Sequence, residues 1–86
     1  MSVAAQTVTV RYFAGARAAA GTGEEHAPGG LSLDGLLVEL GTRHGEPLAR
    51  VLKASSFLVD GVACHDRGVE LRPGTTIDIL PPFAGG

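Results

Sequence analysis

The sequence is poor in cysteine, in lysine and in long apolar runs. Cys64 is the only cysteine of the 86 residues, so no disulfide can form within the chain, and a reducing compartment fits that count. Lys53 is the only lysine, and 7 basic residues against 9 acidic ones give a formal net charge of −2. The charge pattern of a nucleic-acid-binding protein is therefore missing, and no stretch approaches the roughly 20 apolar residues of a membrane span. We expect a protein that binds neither nucleic acid nor membrane.

The start of the sequence, residues 1–5, has neither the basic segment nor the long apolar segment of a secretory signal peptide. We therefore expect a cytoplasmic protein. Hydrophobic residues make up 44% of the chain and charged residues 19%, which is the composition of an ordinary folded domain. No repeat or linker-like stretch divides the sequence, and its length predicts one domain.

The first half of the sequence predicts two strands separated by a short segment. Residues 7–14 alternate apolar and polar side chains and are rich in β-forming types, which predicts the first strand. Residues 15–21 are rich in alanine but are bounded by glycine, which indicates one helical turn or a loop. Residues 24–27 have little apolar character and predict an edge strand, with the side chains of Glu24 and Glu25 in solvent.

The main helix is predicted after Ser32, a favourable N-cap residue. Gly45 follows its last turn and is expected to adopt the left-handed conformation that ends many helices. Gly35 and Gly41 weaken the pattern, because each costs about 1 kcal/mol relative to alanine inside a helix. The helix is therefore expected to depend on a sheet beneath it. One apolar stripe is formed by leucines at helical spacing, Leu33, Leu36, Leu37 and Leu40.

The second half of the sequence predicts short strands. Residues 46–55 are expected to form a connector with a short helical turn. Residues 57–59 and 62–64 are predicted strands joined by the hairpin turn Asp60-Gly61, and residues 76–80 form the last predicted strand. A mixed sheet packed against one amphipathic helix is the β-grasp, or ubiquitin-like, arrangement, an α+β fold.

The last six residues differ from an ordinary chain end. Two prolines favour an extended, stiff exit from the fold, and two final glycines can thread a channel too narrow for any side chain. Six residues reach at most about 20 Å. We therefore expect residues 1–80 to form the domain and residues 81–86 to form a flexible tail with a carboxylate at its tip, Pro81-Pro82-Phe83-Ala84-Gly85-Gly86.

Side chains offer no strong alternative site. The three histidines are far apart in sequence, and Cys64 and His65 would point to opposite faces of a strand, so no metal site is predicted. A nucleophile at Cys64 would need a nearby base, and we expect this thiol to act as a small apolar side chain. The glycines match no phosphate-binding motif. The carboxylate of Gly86 remains as the candidate reactive group: adenylation by ATP would activate it, and either sulfur or an amine could then replace the AMP.

Four stretches of the sequence resemble the MoaD family, the small sulfur-carrier subunit of molybdopterin synthase. Residues 10–17 are similar to the first strand and turn of that family, and residues 33–45 to its helix. Residues 57–61 are similar to a later strand and turn, and residues 77–86 to its final strand and tail, which is the most specific part. The turn at residues 73–76 departs from the family, because it lacks the common Gly-Asp pair.

The resemblance implies a sulfur carrier that is not an enzyme on its own and binds no cofactor or metal. An E1-like adenylating enzyme of the MoeB type would activate Gly86 with ATP, and a sulfur donor would convert it to a thiocarboxylate. The tail would then enter the large, catalytic subunit of the synthase and give sulfur to a cyclic pyranopterin phosphate. Two carriers would flank a dimer of large subunits in a heterotetramer, docked through exposed apolar residues of the sheet. The other tail residues would thin and position the tail: Pro81, Pro82, Phe83, Ala84 and Gly85.

Three other interpretations stay open on the sequence. The same tail would suit a sulfur carrier for thiamine or cysteine biosynthesis, although thiamine carriers are generally shorter and lack the Tyr-Phe-Ala strand pattern. It would also suit a ubiquitin-like modifier whose Gly86 is joined to lysine side chains of target proteins. A binding module with an unused tail is the last of the three.

Overall fold

A computed structural model describes residues 6–82 of the chain. In chain order its elements are β1 (Thr7–Tyr12), α1 (Ala14–Ala20), β2 (Glu24–Pro28), α2 (Leu33–His44), α3 (Glu46–Ala54), β3 (Ser56–Val59), β4 (Val62–Ala63) and β5 (Thr76–Leu80). The strands form one sheet in the order β2-β1-β5-β3-β4. β1 and β5 run parallel, whereas the other neighbours are antiparallel. None of the helices in this part of the chain is long and apolar enough to cross a lipid bilayer.

The helices cover one face of the sheet, and the core lies between the two layers. In β1, Val8 and Val10 are fully buried, and in β5 the inward residues Ile77 and Ile79 are fully buried as well. The burial of these apolar side chains is the main stabilising contribution to the fold. The leucines that cover them come from two helices, Leu33, Leu36, Leu37 and Leu40 of α2 and Leu48 and Leu52 of α3. The predicted β-grasp fold, a mixed sheet packed against an amphipathic helix, is confirmed.

The main helix α2 begins after Ser32 and ends before Gly45, as predicted. The Ser32 hydroxyl oxygen accepts a hydrogen bond from the amide of Gly35 at 3.0 Å and caps the first turn. The predicted left-handed conformation of Gly45 is wrong, because its φ of 90° is combined with a ψ of −173°, a region that only glycine occupies readily. In this conformation the Gly45 carbonyl accepts a hydrogen bond from the amide of Ala49 at 3.1 Å, so α3 follows α2 without a loop.

A nine-residue helix, α3, replaces the connector that was predicted from the sequence. Leu48 and Leu52 lie one turn apart, and both are buried in the core. The helix packs beside α2 at Gly41, where an added Cβ atom would lie 3.5 Å from the Cβ atom of Ala49. This is an ordinary van der Waals distance, so an alanine would also fit between the two helices at this position.

The alanine-rich stretch after β1 also forms a helix, α1, of seven residues. Ala16, a residue of this helix, is fully buried. Gly21 ends the helix in the left-handed conformation with a φ of 76°. The hairpin turn between β3 and β4 is confirmed: Asp60 and Gly61 have φ values of 49° and 82°, as tight hairpin turns require.

Candidate functional site at the root of the tail

The predicted tail follows directly after β5 in the sequence. Leu80, the last residue of this strand, pairs with Ser56 of β3. On the other side of β5, the amide of Phe13 donates a hydrogen bond to the carbonyl of Ile79 at 3.3 Å. We call the surface around the end of β5, formed by Phe13, Ser56, Leu80 and Pro81, the tail root.

Two of the six predicted tail residues lie in the described part of the chain. Pro81 is half-buried and Pro82 is exposed. Strand pairing stops at these residues because proline has no N–H to donate. The other four predicted tail residues lie outside the described residues: Phe83, Ala84, Gly85 and Gly86.

A row of side chains crosses the outer face of the sheet, which is the face away from the helices. The strand register places these residues side by side: Glu24, Arg11, Asp78, Leu58 and Ala63. We call them the cross-strand row. Asp78 comes two residues before Leu80, so the row lies about 7 Å from the tail root. The three residues of the row on β2, β1 and β5 are charged, whereas the two on β3 and β4 are apolar.

Arg11 and Asp78 form a two-pronged ion pair in this row. Arg11 Nε donates to Asp78 Oδ1 at 2.6 Å, and Nη2 donates to Oδ2 at 2.9 Å. The Asp78 side chain is only 8% exposed, whereas that of Arg11 is 48% exposed. The hydrogen bonding and charge of Asp78 raise the pKa of Arg11, and Glu24 adds to the effect. The guanidinium carbon lies 5.8 Å from the centre of the Phe13 ring, within cation–π range, and so connects the row with the tail root.

A second polar cluster surrounds Glu25, which the sequence analysis placed in solvent. Glu25 accepts hydrogen bonds from the Tyr12 hydroxyl at 2.5 Å and from Arg43 Nη1 at 2.8 Å, and it also contacts His44 Nε2. Burial acts to raise the pKa of Glu25, but the hydrogen bonds from Tyr12, Arg43 and His44 outweigh it, so the pKa is lowered. The prediction was wrong because the last turn of α2 brings Arg43 and His44 over the edge strand β2.

This cluster ties β1, β2 and α2 together and is poorly suited to catalysis. Burial, together with the hydrogen bond and charge of Glu25, raises the pKa of the Tyr12 phenol far above its usual range, so the phenol stays protonated. Arg43 also donates to the carbonyl of His26 at 2.7 Å, which covers part of the open edge of the sheet. The arrangement therefore indicates a structural role.

Cys64 behaves as the small apolar side chain that the sequence predicted. It packs half-buried against the core, and its thiol donates to the carbonyl of Asp66 at 3.4 Å. His65 lines the same shallow cavity of about 320 Å³, but no hydrogen bond joins it to the sulfur in the described structure. Across residues 6–82 there is no group of three or more side chains that could hold a metal ion.

Comparison with protein families identifies the group to which this fold and tail belong. The model of the ThiS family matches residues 10–86, from the middle of β1 to the final glycine pair. The chain belongs to the ThiS family. It is a ubiquitin-like sulfur carrier of the MoaD/ThiS type, and the resemblance seen in the sequence is confirmed at this level. A comparison with curated protein sequences gives no significant match.

Solved structures share the fold of this ThiS-family chain over almost its whole length. The small archaeal modifier protein 1 of Methanosarcina acetivorans is 29% identical, with a TM-score of 0.77 over 93% of this chain and 96% of its own. A putative molybdopterin converting factor, subunit 1, from Pyrococcus furiosus is 26% identical, with a TM-score of 0.72 over 90% and 98%. A chain in a complex of subunits 1 and 2 of molybdopterin-converting factor from Helicobacter pylori is 22% identical, with a TM-score of 0.68 over 93% and 99%, and it shows the shared fold alone.

The sequence analysis did not identify the ion pair beside the tail root. The alternation of side chains placed Asp78 opposite Ile77 and Ile79, on the outer face of its strand, and that was the available signal. The two partners are 67 residues apart in sequence, and their pairing depends on the register of β1 against β5, which the pattern of either strand does not contain.

Proposed function

We propose that this ThiS-family protein is the small, sulfur-carrying subunit of molybdopterin synthase. Its reactive group is the α-carboxylate of Gly86, and it delivers sulfur to a cyclic pyranopterin phosphate. The carrier brings the sulfur, and the large subunit brings the catalytic side chains. On this proposal the protein acts as a reagent that is consumed and recharged, so it is not an enzyme on its own.

The carboxylate needs activation, because resonance and its negative charge make it a poor electrophile. A carboxylate oxygen of Gly86 attacks the α-phosphate of ATP, pyrophosphate leaves, and an acyl-adenylate forms. A sulfide-level sulfur nucleophile from the donor then attacks the acyl carbon, and AMP leaves with the electron pair of the broken bond. The thiocarboxylate sulfur attacks a carbon of the pterin substrate and displaces an oxygen leaving group from it. Water then hydrolyses the acyl–sulfur bond, so that the sulfur stays on the pterin and the Gly86 carboxylate is restored. The carboxylate is then ready for the next cycle.

One observation carries this proposal: the ThiS family model extends through Gly86, and β5 leads directly into the prolines before it. β5 is paired on both sides, with β1 and with β3. A strand held in this way gives the start of the tail a fixed direction, which Pro81 and Pro82 extend away from the sheet. The described side chains provide a body to hold and dock the tail, and the chemistry is assigned to the tail itself.

We propose that three partners act in sequence on the tail. An E1-like adenylating enzyme of the MoeB type uses ATP, a sulfur donor supplies the sulfur, and the large synthase subunit receives it. The Helicobacter pylori structure is a complex of subunits 1 and 2, which supports a large-subunit partner for this chain. We place two carriers around a dimer of large subunits, as a heterotetramer in the cytoplasm.

A protein modifier is the second candidate function. The identity and TM-score with the archaeal modifier, 29% and 0.77, are slightly above the 26% and 0.72 found for the Pyrococcus furiosus molybdopterin converting factor. A modifier would begin with the same acyl-adenylate, but a lysine amine of a target protein would finally take the acyl group. Precursors of thiamine and cysteine are the other sulfur acceptors that the sequence leaves open.

Reconstitution with defined acceptors tests the proposal. The thiocarboxylated protein is mixed with the large subunit and cyclic pyranopterin phosphate, and both products are followed by mass spectrometry. We expect molybdopterin to form as the thiocarboxylate returns to carboxylate, and a variant that lacks Gly86 should give no product. Conjugates on lysine side chains in place of molybdopterin would contradict the proposal and support the modifier. Sulfur transfer only to a thiamine or cysteine precursor would contradict it as well.

A further inference from the structure

An enzyme that adenylates Gly86 must cover the surface around the tail root. Four residues follow Pro82, and an extended chain of that length spans at most about 14 Å. The cross-strand row lies about 7 Å from the tail root, which is well within this distance. The row therefore lies where the adenylating enzyme docks. When docking removes water from the row, its polar groups need hydrogen-bond partners in the enzyme.

Arg11 is the member of the row with unused hydrogen-bond donors. Its two hydrogen bonds to Asp78 use the Nε donor and one Nη2 donor. The Nη1 donors and the second Nη2 donor have no hydrogen-bond partner among the described residues. Since the side chain is 48% exposed, these donors are available to a docked protein.

Asp78 makes Arg11 suitable for a place inside an interface. Covering an unpaired charge costs several kcal/mol, and a counter-charge already in place removes much of that cost. The two parallel hydrogen bonds also fix the plane of the guanidinium group, so little side-chain freedom is lost on docking. The contact with the Phe13 ring continues this ordered surface towards the tail root.

The charges of the row define the chemistry of the group that meets Arg11. Glu24 and Asp78 lie on either side of Arg11, so the row has two negative charges and one positive charge. A carboxylate of the partner would be repelled by the net negative charge of the row. A carbonyl or side-chain amide oxygen would accept hydrogen bonds from Arg11 without that repulsion.

We infer that Arg11, held in place by Asp78, is a specificity-determining contact with the adenylating enzyme and donates its free Nη hydrogens to a neutral acceptor oxygen of that enzyme. The inference rests on the proposed function in one respect, which is that Gly86 is adenylated. That step is shared by a sulfur carrier and a protein modifier, so the contact is independent of the final acceptor.

Adenylation kinetics with the cognate E1-like enzyme test this contact. They measure KM for the carrier and kcat separately, and a docking contact should affect KM alone. The variant combines Arg11→Gln with Asp78→Asn, which replaces the guanidinium group by a shorter neutral amide and leaves no covered carboxylate unpaired. The control combines Arg50→Gln with Glu46→Gln, an exposed pair at 3.4 Å on α3. We expect KM to rise about tenfold, a loss of about 1.4 kcal/mol, with kcat unchanged. The control should keep the KM of the wild type.

A reversed pair, Arg11→Asp with Asp78→Arg, separates recognition from a purely structural role. We expect the thermal unfolding midpoint to recover and KM to stay raised. Recovery of the wild-type KM in the reversed pair would overturn the inference. A wild-type KM in a folded protein with Arg11→Gln and Asp78→Asn, which we call the amide variant, would overturn it as well. If the reversed pair does not fold, the amide variant decides. Failure of the wild-type protein to be adenylated would overturn the proposed function instead.

Salt dependence tests the neutral character of the acceptor. A neutral oxygen predicts that the ratio of KM between the amide variant and the wild type stays nearly constant as salt is raised from about 0.05 to 0.3 M. A ratio that falls steeply over this range would show a screened contact with a carboxylate and would overturn that part of the inference.

Discussion

Arg11 of β1 and Asp78 of β5 lie directly opposite each other on parallel strands, and both hydrogen bonds of their ion pair are formed. These are the two strands that lead to the tail root, because β1 continues into Phe13 and β5 continues into Pro81. The pair therefore joins the strand that carries the tail to its neighbour. Its effects on stability and on docking can be measured separately.

Arg11→Leu is expected to lower the free energy of unfolding more than the same change at an exposed arginine, because the covered Asp78 carboxylate loses both hydrogen bonds. Adding Asp78→Leu should recover most of the loss, since apolar side chains often replace an ion pair without penalty. Urea unfolding of the wild type and both variants measures the two effects. Arg50→Leu is the control for an exposed pair, and an equally small loss in both single variants would mean that the pair does not stabilise the sheet.

Glu25 is expected to make the protein less stable in acid. Its pKa is lowered in the folded state from a usual value of 4.5, so its stabilising effect is complete above that value and is lost as pH falls through the lowered pKa. Glu25→Gln should cost about 1–3 kcal/mol near neutral pH, because three donors lose a charged acceptor. Urea unfolding at several pH values should show this difference shrinking in acid.

Glu70→Gln is the control for that experiment, because Glu70 is exposed. Its unfolding free energy should follow the wild type at every pH. A difference between Glu25→Gln and the wild type that stays constant from neutral pH to about pH 3 would contradict the assigned role of Glu25.

Gly41→Ala is expected to stabilise the protein by up to about 1 kcal/mol, the difference in helix propensity. The added Cβ atom would meet Ala49 at 3.5 Å, an ordinary van der Waals contact. Gly35→Ala should gain less, because its Cβ atom would lie 3.3 Å from the hydroxyl oxygen of Ser32, which caps the helix. Chemical unfolding compares the two variants, and a destabilised Gly41→Ala would mean that α2 and α3 pack more tightly than described.

Cys64→Ala is expected to leave sulfur loading of the tail unchanged. The thiol donates to a backbone carbonyl and lies against the core, without a hydrogen bond to His65 in the described structure. The rate of thiocarboxylate formation, followed by intact mass, measures this. A folded variant that fails to load would restore Cys64 as a candidate nucleophile.

The elements that were predicted correctly have signals within a short stretch of sequence. The N-cap of α2 at Ser32 and the turn at Asp60 and Gly61 each depend on a few neighbouring residues. The helix α3 was missed because its apolar pattern is brief. Its stability also depends on the contact between Ala49 and Gly41 of α2, which a local pattern does not contain.

The candidate site was harder to predict, because it depends on contacts between residues that are distant in sequence. Glu25 could be placed on a strand, but not beneath His44, because that contact depends on where α2 ends over the sheet. The orientation of Asp78 could be predicted, but its partner could not. Gly86, the proposed reactive residue, is the opposite case, because it was predicted from the sequence and lies outside the described residues.

The mass of the intact protein tests the central claim most directly. The protein and a variant without Gly86 are each incubated with ATP, the cognate E1-like enzyme and a sulfur source. We predict that the wild type gains the mass of one oxygen-for-sulfur exchange, located at Gly86 by fragmentation, while the deletion variant keeps its fold and gains nothing. If the wild type forms neither adenylate nor thiocarboxylate, or if the exchange lies elsewhere in the chain, Gly86 is not the sulfur carrier.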